Sequence, residues 1–477
     1  MSSMSSAENR RKKTVLGVSD FEEERAKTKK SLPGLLFVFV LGTLMIQCFN
    51  LVYSNIGTAL HVSAGSASLL STLPGIILAV VCMMYETLCD FISPKRMVLW
   101  GVGALIISSV VGFCFSSSFW VVLIVRAIQV AGAQVAGSVF LVMTVKYLTA
   151  KEKAIYLGLF NAAYYLAAAL GVFAGGWINN IPWRWLLLIP TLSIIVFPIL
   201  IRDTPDVSGK GEKVDIFGIF VFALIAACVA VYFSFMNFWW LIIVFAVLVI
   251  VFTFYIIHGS NPFITVAFLK NKSYMVFILI LCIGFFFEYA ATPIYQVIGE
   301  GIFHMSLQQV SDCLTLVNII AMIIGIVSGP IVNKLGRWKT ILISESAIVI
   351  GFIFSALFIQ SSFWFLTILN ILIIGGWTAI YTPIYDGASA AVQQAEGGRS
   401  IGICDLTVNT APAIGIAVYS AIIDNPHFGL RGLFGVTGSS AISTSNMFWI
   451  MAAVGLVTVI IIIASRRLIT ATEKKTQ

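Results

Sequence analysis

The chain alternates between long apolar blocks and short polar or basic breaks. Fourteen blocks are long enough to be read as spanning helices, near 34–54, 67–88, 97–116, 119–142, 154–177, 184–201, 215–235, 238–257, 275–297, 308–332, 340–360, 363–386, 400–423 and 447–465. A spanning helix needs roughly 20 mostly apolar residues. The polar breaks carry a second, independent signal. With the N-terminus placed in the cytoplasm, all but three of the 29 Lys and Arg fall on the cytoplasmic side. The exceptions are Arg184 and Arg431 in outer loops and Arg126 inside a span. One span more or fewer would scramble that alternation. The pattern therefore predicts an all-α polytopic membrane protein with fourteen spans and both termini cytoplasmic.

Two longer polar connections divide the chain. They are "RDTPDVSGKGEKVD" and the semi-apolar "HGSNPFITVAFLKNKSY". The predicted organisation is a polar tail over 1–32, a six-helix bundle over 33–203, a linker over 204–214, and two additional helices over 215–257. A second linker follows over 258–274, then a second six-helix bundle over 275–465 and a tail over 466–477. The first 30 or so residues lack the short apolar core of a signal peptide. "SDFEEERAKTKK" has acids first and bases last, which suits a short helix, but a mobile tail is the expectation.

Composition agrees with this layout. Of 477 residues, 59% are hydrophobic and 10% charged, against roughly a quarter charged in soluble domains. Mean hydropathy is +0.99. The formal charge of +8 follows from the basic cytoplasmic breaks, so it gives no support to nucleic-acid binding. The eight Cys and four His are scattered singly, so no metal centre or disulfide framework is expected.

The two six-helix blocks echo one another. "ETLCDFISPKRMVL" follows the second span of the first, and "GPIVNKLGRWKTIL" the second span of the last. Internal repeats with the site between them are a common build of secondary transporters. These turns resemble the loop motif G-x-x-x-D-x-x-G-R-[KR] of the major facilitator superfamily. The later copy has Gly329, Gly336, Arg337 and Lys339, with Asn333 in place of Asp. The earlier copy keeps Asp90, Lys95 and Arg96, while Glu86 stands where the first Gly is expected. The fourth span is similar to R-x-x-Q-G-x-G through Arg126, Gln129 and Gly132. The fifth keeps Gly171, Gly175 and Gly176 of the antiporter signature and lacks its Pro. The resemblance is to the fourteen-span drug:proton antiporter branch, and it covers nearly the whole chain beyond the tail.

That resemblance implies the fold of two six-helix bundles plus two extra central helices. It also implies alternating access, with the cavity lined by the first, fourth, ninth and twelfth spans. Asp90, Lys95, Arg96, Gly329, Asn333, Gly336 and Arg337 then become gating residues that latch spans at the cytoplasmic side. Topology alone also accounts for their charge. Gly171, Gly175 and Gly176 have small-xxx-small spacing, which suits tight helix packing and a contact that must slide.

The candidate site residues follow from polarity inside apolar blocks. Glu288 lies near the middle of the ninth span, where an ionisable group is costly and marks function by default. Arg126 lies seven residues into the fourth span, roughly 10 Å from its end and near the limit of snorkelling. The two are expected to face one cavity, with Glu288 exchanging a proton or binding a cation. A structural Glu bonded to a neighbour is the alternative. Asn50 and Gln129 add polar groups. Trp377, Tyr381 and Tyr385 recur every four residues and share one helix face; their aromatic surface suits amphipathic molecules and cations, though it also suits packing. Asp312, Glu345, Asp386 and Asp405 are read near helix ends, within reach of water or a base.

The expected function is proton-coupled export of amphipathic organic compounds, as in multidrug efflux. The alternative is a carrier of one metabolite, siderophore, peptide or organic anion, with proton antiport weakened or absent. Enzyme function is not expected, since no nucleophile–base constellation occurs. "VSGKGEK" fails the Walker A pattern, so no nucleotide or other cofactor is implied. The expected partners are a small-molecule substrate, protons and the lipid bilayer, for a monomer in the cell membrane, specifically a bacterial plasma membrane.

Overall fold

A computed structural model describes residues 2–62, 64–177, 182–206, 215–235, 238–259, 262, 266–423 and 432–474. Side chains of some residues within helices, including 2–21 and 50–55, lie outside that description. The structure is helical, with no strand among the described residues. Ten helices there are long and apolar enough to cross a membrane. The count is eleven when the bent pair Trp183–Ile195 and Phe197–Asp203 is taken as one span.

The first bundle holds α1 (Ser2–Ala59), α2 (Ala64–Leu88), α3 (Pro94–Cys114), α4 (Phe119–Tyr147), α5 (Ala150–Trp177), the 3-10 segment Trp183–Ile195 and α6 (Phe197–Asp203). α4 is its hub, packing on α1, α2 and α3. The polar stretch read as a mobile tail is instead helical and continuous with the first span in α1. Its base is tied down: Arg25 and Lys29 both pair with Glu152, which also caps the start of α5 by accepting from the Thr149 backbone N–H.

Two helices follow, α7 (Ile216–Phe235) and α8 (Trp240–His258). Asp215 joins them by accepting from the Gly218 N–H at 2.8 Å and the Tyr255 hydroxyl at 2.6 Å. α7 lies against α2. After the short α9 (Val266–Leu269), the second bundle begins with α10 (Lys272–Gly284).

The ninth predicted span is broken. α10 ends at Gly284, a 3-10 turn covers Glu288–Ala290, and α11 (Ala291–Val297) restarts and runs into a π-helical turn at Ile298–Ile302. Pro293 accounts for the restart. It sits in the first turn of α11, where its missing N–H breaks no helix bond, and it denies the Tyr289 carbonyl its usual donor. The bundle continues with α12 (Leu307–Leu335), α13 (Arg337–Leu357), α14 (Phe363–Ala391), α15 (Gly397–Ile423), α16 (Ser439–Ala464) and α17 (Arg466–Lys474). α14 is its hub, packing on α10, α12 and α13, as α4 is in the first bundle.

The bundles meet along two seams. α5 packs on α12, and α2 packs on α15, with α7 touching both α2 and α15. Glycines make the first seam close. A Cβ on Gly158 would lie 2.6 Å from the Gly325 carbonyl oxygen, and one on Gly329 would lie 2.5 Å from that of Ala154. At the second seam, a Cβ on Gly398 would lie 2.2 Å from the Glu86 carbonyl oxygen. Helices this near exclude water and fix which polar side chains can face across the seam.

Candidate functional site

The two loop motifs lie at one end of the molecule, and each reaches into the other bundle. Asp90, at the end of α2, pairs with Lys146 at 2.6 Å and Arg399 at 3.4 Å. It also accepts from the backbone N–H groups of Gly398 and Arg399, the exposed donors that open α15. A carboxylate at a helix N-terminus is stabilised by those donors and by the helix dipole. Lys95 and Arg96, the bases beside it in sequence, make no ion pair among the described residues. The bases that pair with Asp90 come from α4 and α15 instead.

The second motif mirrors the first with a neutral side chain. Asn333 donates to the Lys151 carbonyl at 2.9 Å, near the start of α5. Gly336 turns the chain between α12 and α13 at φ +84°, a conformation that favours glycine. Arg337 donates to Asp386 at 2.6 Å and to Thr472 at 3.1 Å. Asp386 also takes Lys153 of α5 at 3.0 Å, and that lysine donates to Ser389 at 2.9 Å. So Lys153–Asp386 ties one bundle to the other, while Arg337–Asp386 stays within the second.

Away from that end, Glu288 occupies the break in the ninth span, one residue after the turn that ends α10. It is half-buried among tyrosines. Tyr165 lies within hydrogen-bonding reach of its carboxyl group, with Tyr164 and Tyr289 beside it. Tyr165 also reaches Thr378 of α14, whose carbonyl accepts from Asn161 at 2.8 Å. Both bundles therefore contribute to the surroundings of Glu288. No Lys or Arg stands within ion-pair distance of it among the described residues.

Arg126 is not part of that cluster. It is 1% exposed inside the first bundle, with its guanidinium 3.9 Å from the Phe49 ring centroid and donating to Gln129 at 3.1 Å. Gln129 in turn donates to Ser109 at 2.8 Å and to the Leu187 carbonyl at 3.1 Å. Arg126 and Glu288 are thus held by separate sets of neighbours, although both helices were expected to line one cavity. The side chain of Asn50 lies outside the described residues.

The three aromatic residues of α14 divide. Trp377 donates its indole N–H to the Gly284 carbonyl at 2.8 Å, so it braces the end of α10 from inside the second bundle. Tyr381 and Tyr385 stack with ring centroids 4.0 Å apart, and the Tyr385 hydroxyl donates to Asp405. Among the small residues of α5, Gly171 brings α1 close, since a Cβ there would lie 2.4 Å from that of Gln47. The surroundings of Gly175 and Gly176 lie outside the description.

Three carboxyl groups differ from their sequence reading. Asp405 faces Glu86 and has no base within ion-pair distance among the described residues. Glu345 is 0% exposed, and neither of its oxygens has a hydrogen-bond partner among the described residues. Glu86, read only as a departure from a glycine motif, is 0% exposed as well. Its one sequence signal was its spacing, four residues before Asp90 and so one turn deeper on the same face.

Two helical bundles meet across glycine-lined seams, with charged pairs at one end and buried polar groups between them. The chain belongs to the major facilitator superfamily: the family model described as Major Facilitator Superfamily matches residues 35–415. The fold is similar to that of the human organic anion transporter MFSD10 (TETRAN). That likeness has a TM-score of 0.65 and 13% identity, covering 92% of this chain and 99% of the other. It is also similar to the proton:xylose symporter XylE bound to 6-bromo-6-deoxy-D-glucose, with a TM-score of 0.60 and 12% identity over 91% and 95%. In sequence the chain is 24% identical over 274 residues to the multidrug transporter protein MdtP of Bacillus subtilis. That alignment takes in 54% of this chain and about half (50%) of the relative's length.

Proposed function

We propose that the protein is a proton-coupled exporter of amphipathic organic compounds, cationic or neutral, that works by alternating access in a bacterial plasma membrane. The observation that carries this is Glu288: a carboxyl group without a fixed base, at a helix break, among tyrosines supplied by both bundles. Broken helices at membrane depth are tolerated where they line a cavity or protein interior. A carboxylate surrounded by aromatic faces suits an organic cation, through charge and cation–π attraction. The distant likeness to a multidrug transporter points the same way.

In this proposal the chain has fourteen spans and cytoplasmic ends. Helices α2, α7 and α15 and the bent pair stand at the four predicted blocks beyond the ten counted spans. The end carrying Asp90, Lys153 and Asp386 is cytoplasmic, since the basic breaks cluster there. Its latches are closed, so the described arrangement is one in which the cytoplasmic side is shut. Tyr381, Tyr385, Gln129 and Arg126 are kept as supporting residues of the transport path, with Glu288 as the substrate or proton site. A carrier of organic anions has less support, because Arg126 is packed on Phe49 and Gln129 and away from Glu288.

Uptake into everted membrane vesicles tests this directly. Tetraphenylphosphonium and a neutral amphiphile should accumulate when the vesicle interior is acid, and a protonophore should abolish the effect. Glu288→Gln should lose most of the cation uptake while keeping that of the neutral compound. Accumulation that ignores the protonophore would remove proton antiport.

A further inference from the structure

α2 and α15 come from different bundles, and where they cross, Glu86 and Asp405 turn their carboxyl groups towards one another. Glu86 is 0% exposed and Asp405 6%. The bases at this crossing are already taken: Lys146 and Arg399 both pair with Asp90, one turn nearer the end. Tyr385 donates to Asp405. Among the described residues neither Glu86 oxygen has a hydrogen-bond donor, and the hydroxyl beside it, Ser138, also contacts the Cys82 carbonyl at 3.4 Å.

Ionised carboxylates are acceptors only. Two of them facing across an apolar seam repel. With one proton between them they form an O–H···O⁻ bond, among the strongest hydrogen bonds proteins make. We propose that Glu86 and Asp405 together bind a single proton, and that the shared proton clasps the two bundles at the cytoplasmic side. The pair is distinct from Glu288, and it rests on the proton-coupled function proposed above.

The surroundings favour a proton over a charge partner. Tyr381 and Tyr385 face the pair from α14, Cys404 and Cys82 from its own two helices, and Tyr289 from the 3-10 turn. α4 presents Ser138, its Lys146 being engaged by Asp90. The ionisable residues of α7 are Cys228 and Tyr232, and α1 carries no charge beyond Lys30. From α10, Tyr274 donates to the Ser400 carbonyl, and α16 has no ionisable residue. Among the described residues no base faces the two carboxyl groups. Tyr289, next to Glu288 in the 3-10 turn, donates its hydroxyl to Asn409 of α15, one turn along from Asp405.

The site exists only while the bundles are together on this side. When they part, each carboxyl group meets water without its partner, and the proton leaves towards the cytoplasm. A proton taken from the outer side with the gate shut is thus delivered inward as the gate opens, the direction an exporter driven by the proton gradient needs.

The test is a distance measurement across the cytoplasmic side of the full-length protein in nanodiscs. Spin labels carried on non-canonical amino acids replace the exposed Arg96 and Lys339, one on each bundle. The wild-type distance should be short at acid pH and lengthen as pH rises. Glu86→Gln supplies a permanent amide donor to Asp405, so its distance should stay short at all pH values. The double exchange Glu86→Asp with Asp405→Glu should restore the pH response, which guards against a misfolded single variant. A Glu86→Gln protein with the wild-type response would overturn the clasp. So would a wild-type distance that sodium shortens at fixed pH, since the pair would then hold a metal cation. Glu288→Gln should keep the pH-dependent closure, and Glu86→Gln should still bind tetraphenylphosphonium. A failure of the Glu288 assignment therefore shows in cation binding alone, and a failure of the clasp in the distance alone.

Discussion

Single residues inside the bundles separate those that hold the fold from those that work. Glu345 is the clearest structural oddity. It is fully buried between α13 and α16, its oxygens have no hydrogen-bond partner among the described residues, and the nearby Thr458 hydroxyl donates to the Val454 carbonyl. An unpaired buried polar group costs about 1–3 kcal/mol. Replacing it with an unbranched apolar side chain of similar length should recover part of that. We expect Glu345→Met to raise the melting temperature in detergent and to leave vesicle uptake intact, because the residue touches neither bundle seam. A lower melting temperature would mean that Glu345 has a partner that the described contacts lack.

Residue chemistry was legible in sequence only where depth was unambiguous. Glu288 stands out because an acid interrupts a long apolar run, and the structure puts it at a break among Tyr164, Tyr165 and Tyr289. Glu345 and Asp405 were read as reaching water because the apolar runs end near them. The helices continue further: α13 starts at Arg337, and α15 at Gly397. Residues near the end of an apolar run can therefore still be buried, Asp405 by the opposite bundle and Glu345 by α16 of its own. A one-dimensional pattern records hydropathy along a helix and not what packs across it.

At the scale of elements, glycine decides how close the bundles come. Gly158 faces the Gly325 carbonyl and the Ser328 hydroxyl, both 2.6 Å from where a Cβ would sit. Gly158→Leu should force α5 from α12 and cost about 1–3 kcal/mol as overpacking does. Gly103 is the control. A Cβ there meets nothing within 4 Å, so Gly103→Ala should be neutral or stabilise α3 by about 0.5–1 kcal/mol. Thermal unfolding of the two purified variants checks the contrast; equal losses in both would remove the close-approach argument. The element pattern itself was largely readable. Helical structure stands at each predicted block, although the sequence treated the ninth as one unbroken helix. Its Pro293 gave a hint of that break, and the tyrosines and Trp377 that stabilise it come from distant elements.

Across the whole molecule, the described charged links between bundles gather at one end, and they are not equivalent. Asp386 serves two bases at once. Arg337 belongs to its own bundle, and Lys153 comes from the other. All three are nearly buried, with side-chain exposures of 4–7%. Removing the shared carboxylate by Asp386→Asn takes from both buried cations the anion that they share. Breaking a buried pair from one side costs about 3–5 kcal/mol, so this variant should lose melting temperature outright. Lys153→Met acts differently. The Arg337–Asp386 pair survives inside the second bundle, and the methionine fills the space of the lysine stem. Only the link between bundles is lost. That variant should keep most of its thermal stability, yet exchange backbone hydrogens faster at the first turns of α5 and the last turns of α14, where the bundles would part. Hydrogen exchange read by mass spectrometry, beside melting curves, distinguishes the two. Equal stability losses in both variants would make Lys153 a structural cation of the fold; a selective rise in exchange marks it as half of a gate.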